Sequence, residues 1–241
     1  MLVLKSTLFF AAGLIALRLA AHSAAALRHM ICLCALSLPL LLPFALLAPS
    51  RGEVFHIPVH AGGASSVTAA AASRFHGMSW LAAIWGAGVA LALLWVAVGY
   101  RRMAQIRRTA TSAALPVATP VPVWFADVAV PMVSGHARPS ILIPRVASEW
   151  PAAQIHAALD HELAHLRRGD LHTGLLALVV RAVYWFHPLV WMLAARLREA
   201  QEEACDDLVL EAGFAPADYA GALLATARGL TNPLLRHLDA P

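Results

Sequence analysis

Between Ser79 and Tyr100 the chain carries no charged residue. A helix rises about 1.5 Å per residue, so such a run matches the roughly 30 Å hydrocarbon layer of a bilayer. Two other segments have the same character. Leu2 to Ala21 is apolar, with Lys5 and Arg18 near its ends, where long side chains reach an interface. Ile31 to Pro49 is uncharged, and Pro39 and Pro43 are expected to kink it, which membrane helices tolerate. A cleaved signal peptide competes for the first segment. Arg18 stands where the apolar core should hand over to a cleavage site, and a second span follows at once, so a retained helix is expected. Composition agrees: 60% of residues are hydrophobic, 13% are charged, and mean hydropathy is +0.67. These values point to a membrane protein.

The net charge of +4 is clustered. Arg101, Arg102, Arg107 and Arg108 follow the third span, whereas the loop from Ser50 to Met78 offers only Arg51 and Arg74, with Glu53 beside the first. The positive-inside rule puts the chain after Tyr100, and the loop holding Arg28, in the cytoplasm, with the N-terminus outside. Such clusters orient a membrane protein, so no direct nucleic-acid contact is expected. Cys32, Cys34 and Cys205 give no disulfide framework; the first two read as small hydrophobes. His56, His60 and His76 fall in the outer loop and are expected to face solvent without forming a second metal site.

The expected organisation is a membrane domain over 1–108 with three spans (2–21, 31–49 and 79–100), a Pro, Thr and Ala-rich linker over 109–120, and a second domain over 121–241. Short β-like pieces at Val121–Phe125, Val128–Val133 and Ser140–Pro144 are punctuated by Pro131, Gly135, Pro139 and Pro144, which predicts edge strands and turns. Pro151 marks a helix start. Leu171 to Ala195 is apolar, but Arg181, His172 and His187 argue against exposure to lipid, so one or two buried helices are expected there. The fold class is an α-helical membrane protein with an α+β cytosolic domain.

That domain holds His161-Glu162-Leu163-Ala164-His165. Imidazoles at i and i+4 share one helix face, and both can reach a single Zn²⁺ at about 2.0–2.1 Å. Glu162 follows the first imidazole, where it can act as general base on the attacking water. A catalytic zinc needs a third protein ligand and an open position. Glu199, Glu202, Glu203 and Asp206 form an acidic stripe downstream that can supply it, or can be a solvated face matched with Arg196 and Arg198; spacing alone does not choose among the glutamates.

HELAHLRRGDL, then YWFHPLVW, then EEACDD, in that order, resembles the BlaR/MecR-type family of membrane antirepressor metallopeptidases. The stretch from Pro131 to Gly135, with Arg138 to Pro144, is similar to that family's segment before the zinc helix. The resemblance implies a zincin-like domain with Zn²⁺ held by His161, His165 and Glu202, the last lying four residues before Asp206 of the Cys205-Asp206 pair. It implies Glu162 as the acid and base of peptide hydrolysis, and Asp206 as a partner that orients a ligand histidine. Asp170 has a similar role or caps the next helix. His187, in a Phe-His-Pro turn, stabilises an oxyanion or satisfies a buried backbone carbonyl. Cys205 reads as a packed residue beside the ligand helix.

The strand around Val133 to Gly135 is expected to hold an extended peptide by its edge. The implied partners are the lipid bilayer and a protein substrate, a transcriptional repressor or the enzyme itself, and a homodimer stays open. The implied location is a bacterial-type inner (plasma) membrane, multi-pass, with the catalytic domain cytosolic. The alternative function is a non-catalytic signalling or anchoring protein with a structural zinc domain; the intact HExxH argues against it. The family continues into a further span and an extracellular sensor, while this sequence ends at Pro241 without a Ser-x-x-Lys motif. The resemblance therefore does not carry a β-lactam signal to it; a truncated product and a minimal peptidase both fit.

Overall fold

The computed structural model describes residues 2–47, 64–113, 115 and 118–231. It is mostly helical, with one small sheet. Helices α1 (Leu2–Leu19) and α2 (Ala25–Leu47) form a hairpin. Gly13 lets the two backbones close up, because a Cβ there would collide with the Cβ of Ala35. The hairpin packs on α5 (Asp170–Val183) and the first half of α6 (Pro188–Glu211). Phe10, Cys32, Leu36, Val180, Tyr184 and Leu193 meet there in a single core. That core draws residues from both sides of the expected boundary at residue 108. The apolar run from Leu171 is two helices broken at Tyr184–His187, and Pro188 opens the second.

The prolines of α2 leave the segment helical from Ala25 to Leu47. Pro43 has no N–H, so the carbonyl four residues earlier, at Pro39, loses its helical donor. The buried Tyr184 hydroxyl donates to that carbonyl at 2.8 Å. Tyr184→Phe is expected to leave the carbonyl unpaired and to destabilise the protein by about 1–3 kcal/mol. Thermal unfolding in detergent checks this, and an unchanged transition would remove the role.

Helix α3 (Ala64–Arg108) starts well before the expected span and takes up the second half of what was read as a loop, where an alanine run favours helix. Its part from Trp80 to Arg108 is, among the described residues, the one helix long and apolar enough to cross a membrane by length and composition. Trp80, Leu81, Leu91 and Trp95 are exposed along it. Ala25–Leu41 of α2 is a shorter apolar helix. His56 and His60 lie outside the described residues.

Four strands follow: β1 (Thr111–Ser112), β2 (Val123–Ala126), β3 (Met132–Ser134) and β4 (Ser140–Pro144). They are ordered β1-β2-β4-β3, with β2 and β4 parallel and the other pairs antiparallel. Two expectations change here. The linker at 109–120 contributes β1, which pairs with β2. Strands β2 and β4 are interior, not edges, and all five residues of β4 are buried. Its prolines do not interrupt it, since Pro139 precedes the strand and Pro144 ends it, which leaves donors on the residues between. Strand β3 is one edge of the sheet and β1 the other.

Candidate metal centre

Helix α4 (Ala152–Arg168) buries Ile155, Leu159 and Leu163 against Val123, Ile141 and Ile143 of the sheet. Those positions recur every fourth residue, so they fix the roll of the helix and turn His161 and His165 away from the sheet. Gly169 ends the helix at φ 72°, a left-handed conformation suited to glycine, and its N–H returns to the carbonyls of His165 and Leu166. The chain reverses at once into α5, which brings Asp170 back to His165.

On this side α6 faces α4. His161 Nε2 lies 3.4 Å from Glu202 Oε2, and His165 Nε2 lies 3.8 Å from the same oxygen. The acidic stripe therefore divides by partner. Glu199 pairs with Arg196 at 2.6 Å, and Glu203 pairs with Arg28 of α2. Asp206 Oδ1 sits 3.1 Å from His161 Nδ1. Only Glu202 of the four meets the Nε2 atoms of both histidines.

The opposite ring nitrogens are held. His165 Nδ1 is 2.9 Å from Asp170 Oδ2, which also accepts from Arg168 Nε at 3.3 Å. His161 Nδ1 is 2.9 Å from the hydroxyl of Tyr219, on α7 (Pro216–Thr231), and that hydroxyl donates to Asp206 at 2.6 Å. Carboxylates only accept, so each Nδ1 carries its hydrogen, and a metal cation that displaces the proton from Nε2 would meet that nitrogen's lone pair pointing inward. Two inward nitrogens and a carboxylate, with one atom from each within 4.8 Å of the others, form a donor set that fits Zn²⁺. A second group, His165, Asp170 and Cys205, also lies within that span, but it uses the nitrogen that Asp170 already engages. Cys205 is buried, its sulfur 3.2 Å from that nitrogen.

The electrostatics favour positive charge at the centre. Burial works against protonation of His161, but Asp206 and Glu202 outweigh it and raise the ring to about 9. For His165 the same opposition from burial is overcome by Asp170, Cys205 and Glu202, and the ring is pushed up to about 12. Hydrogen bonds from His161 and His165 hold Glu202 well below the usual carboxylate range. Glu162 behaves oppositely: it is buried, and burial raises its carboxyl despite the two imidazoles and a backbone hydrogen bond from Val133.

These groups line a cleft of about 660 Å³ bounded by β3, α4, α5, α6 and α7. Val130 to Val133 form one wall, so the free edge of the sheet runs beside Glu162. His187 is not brought to it. That ring sits at the start of α6, 2.9 Å from the Thr7 hydroxyl and 5.1 Å from the Phe10 ring. Tyr219 is the participant that sequence reasoning missed. It lies in a short helix with no spacing relation to HELAH, and its polar tip in an otherwise small-residue, apolar segment was the available signal.

The sequence model of the BlaR1 peptidase M56 family matches residues 56–237, most of the chain. The chain belongs to this family. The matched region takes in α3 to α7, hence every residue of the M56 cleft described above. Among individual relatives, the regulatory protein BlaR1 of Bacillus licheniformis is 36% identical over 81 residues. The methicillin resistance mecR1 proteins of Staphylococcus aureus (strain Mu50 / ATCC 700699) and Staphylococcus epidermidis are each 30% identical over 82 residues. In each case the match covers 34% of this chain and 14% of the relative.

Proposed function

We propose that this M56 member is a membrane-bound zinc endopeptidase. The observation that carries the reading is the convergence of His161, His165 and Glu202 beside the buried carboxyl of Glu162, in a cleft edged by a free strand. The chemistry a bound Zn²⁺ supplies is Lewis-acid polarisation of the scissile carbonyl and a lowered pKa for water. Glu162 takes the proton from the attacking water and returns it to the leaving amine nitrogen. Burial, which raises its carboxyl, suits a group that must both accept and release that proton. Asp170, Asp206 and Tyr219 hold the two ring orientations. The edge of β3 aligns an extended peptide through main-chain hydrogen bonds.

In this reading the protein is multi-pass in a bacterial-type inner membrane, with α1, α2 and α3 as its spans and the cleft on the cytosolic side, below the arginines that end α3. The substrate in this reading is a cytosolic protein, a transcriptional repressor or the enzyme itself, in keeping with the regulatory role that the name of one relative gives to that relative. The full chain purified in detergent is expected to carry one zinc. It should cleave itself or a co-expressed repressor in a manner that chelation abolishes and added zinc restores. Chelator-insensitive cleavage would overturn the zinc-peptidase reading, and a zinc-loaded protein with no cleavage of either would favour a structural zinc domain.

A further inference from the structure

The first turns of α2 touch the metal centre. His29 Nε2 lies 3.9 Å from Asp170 Oδ1, and both residues are buried. Neither atom has a hydrogen-bond partner in the described structure. Buried polar atoms are rarely left alone, and here two complementary ones face each other at a distance that a small approach turns into a hydrogen bond. The other oxygen of Asp170 already accepts from His165 and Arg168. One residue before His29, Arg28 bridges to Glu203 on α6, next to Glu202. Consecutive residues of α2 thus engage the helix that carries Asp170 and the helix that carries Glu202.

We propose that His29 is a positioning residue for the metal centre: it donates to Asp170 and, through Asp170, fixes the ring of His165. A carboxylate anchored by one oxygen can turn about its own side chain, and the imidazole bonded to it turns with it. Anchored by both oxygens it holds its aim, and so does His165 Nε2. The seating of α2 on α5 and α6 thereby sets how tightly the site holds its metal. This rests on the reading of the site as a zinc centre.

The test uses the full chain in detergent, with Zn²⁺ affinity measured by chelator competition and site geometry read from the Co²⁺ absorption spectrum. Loss of an outer partner of a metal ligand typically weakens binding by about 10–100-fold. His29→Leu and His29→Phe, which keeps ring volume without a donor, are expected to weaken zinc on the order of tenfold and to alter the Co²⁺ spectrum. Affinities are compared well below the melting transition of each metal-free variant, so that the folding cost of losing a buried hydrogen bond does not enter. His29→Gln, which restores an N–H, should recover most of the affinity. In an Asp170→Asn background His29→Leu should cost nothing further. Zinc held by both donor-less variants as tightly as by the parent, or a penalty undiminished in that background, overturns the proposal alone. A parent that binds no zinc overturns the metal-centre reading and the proposal together.

Discussion

Glu162→Gln is expected to keep zinc at the parent level and to lower peptide cleavage by about 10²–10⁴-fold, the range that a positioned general acid–base group contributes. The substitution conserves volume in a buried position and keeps an oxygen for the backbone hydrogen bond from Val133. It touches none of the three groups that converge as ligands. What it removes is the capacity to take a proton. Metal content by atomic absorption and cleavage of a repressor or of the chain itself give the two readouts. Full cleavage by a zinc-loaded variant would end the assignment of Glu162 as base, and loss of zinc would move Glu162 into the ligand set.

The second large effect concerns the acidic helix. Glu202→Ala is expected to weaken zinc by more than about 100-fold, since even an outer partner costs about 10–100-fold. Glu199→Ala and Glu203→Ala should leave affinity near the parent, because these carboxylates pair with Arg196 and Arg28 on the surface of the helix. Exposed pairs of that kind contribute little to stability. Equilibrium dialysis across the three variants separates them. If all three lose zinc equally, the stripe acts as a diffuse acidic field and no single ligand can be named.

This ranking was only partly readable from sequence. The i, i+4 histidines needed nothing but helix periodicity, which is local and strong in α4. Spacing alone left Glu202 level with its neighbours and only the family resemblance named it; the physical reason is the roll of α6, set by Leu193 and Leu197 packing into the core shared with α1 and α2. No pattern within the acidic stripe encodes that contact. Tyr219 was invisible for a related reason: α7 reaches His161 only through the tertiary fold, across 58 positions of chain. His187 shows the opposite error. It stands in a motif-like turn, but α5 carries the chain away from the cleft before the turn is reached, and the ring is spent on Thr7 and Phe10. Strand β4 was under-read because its flanking prolines looked like breaks when they are bounds.

The core joining the first hairpin to α5 and α6 bears on how this protein can be handled. Phe10, Cys32 and Leu36 cover Val180, Val190, Leu193 and Leu197. A fragment begun after α3 would bare that apolar face to water, at a cost of roughly 25 cal/mol for each Å² uncovered. The helices that line the cleft and the first hairpin thus share one core, and a fragment cut between them would be expected to aggregate before it could be assayed.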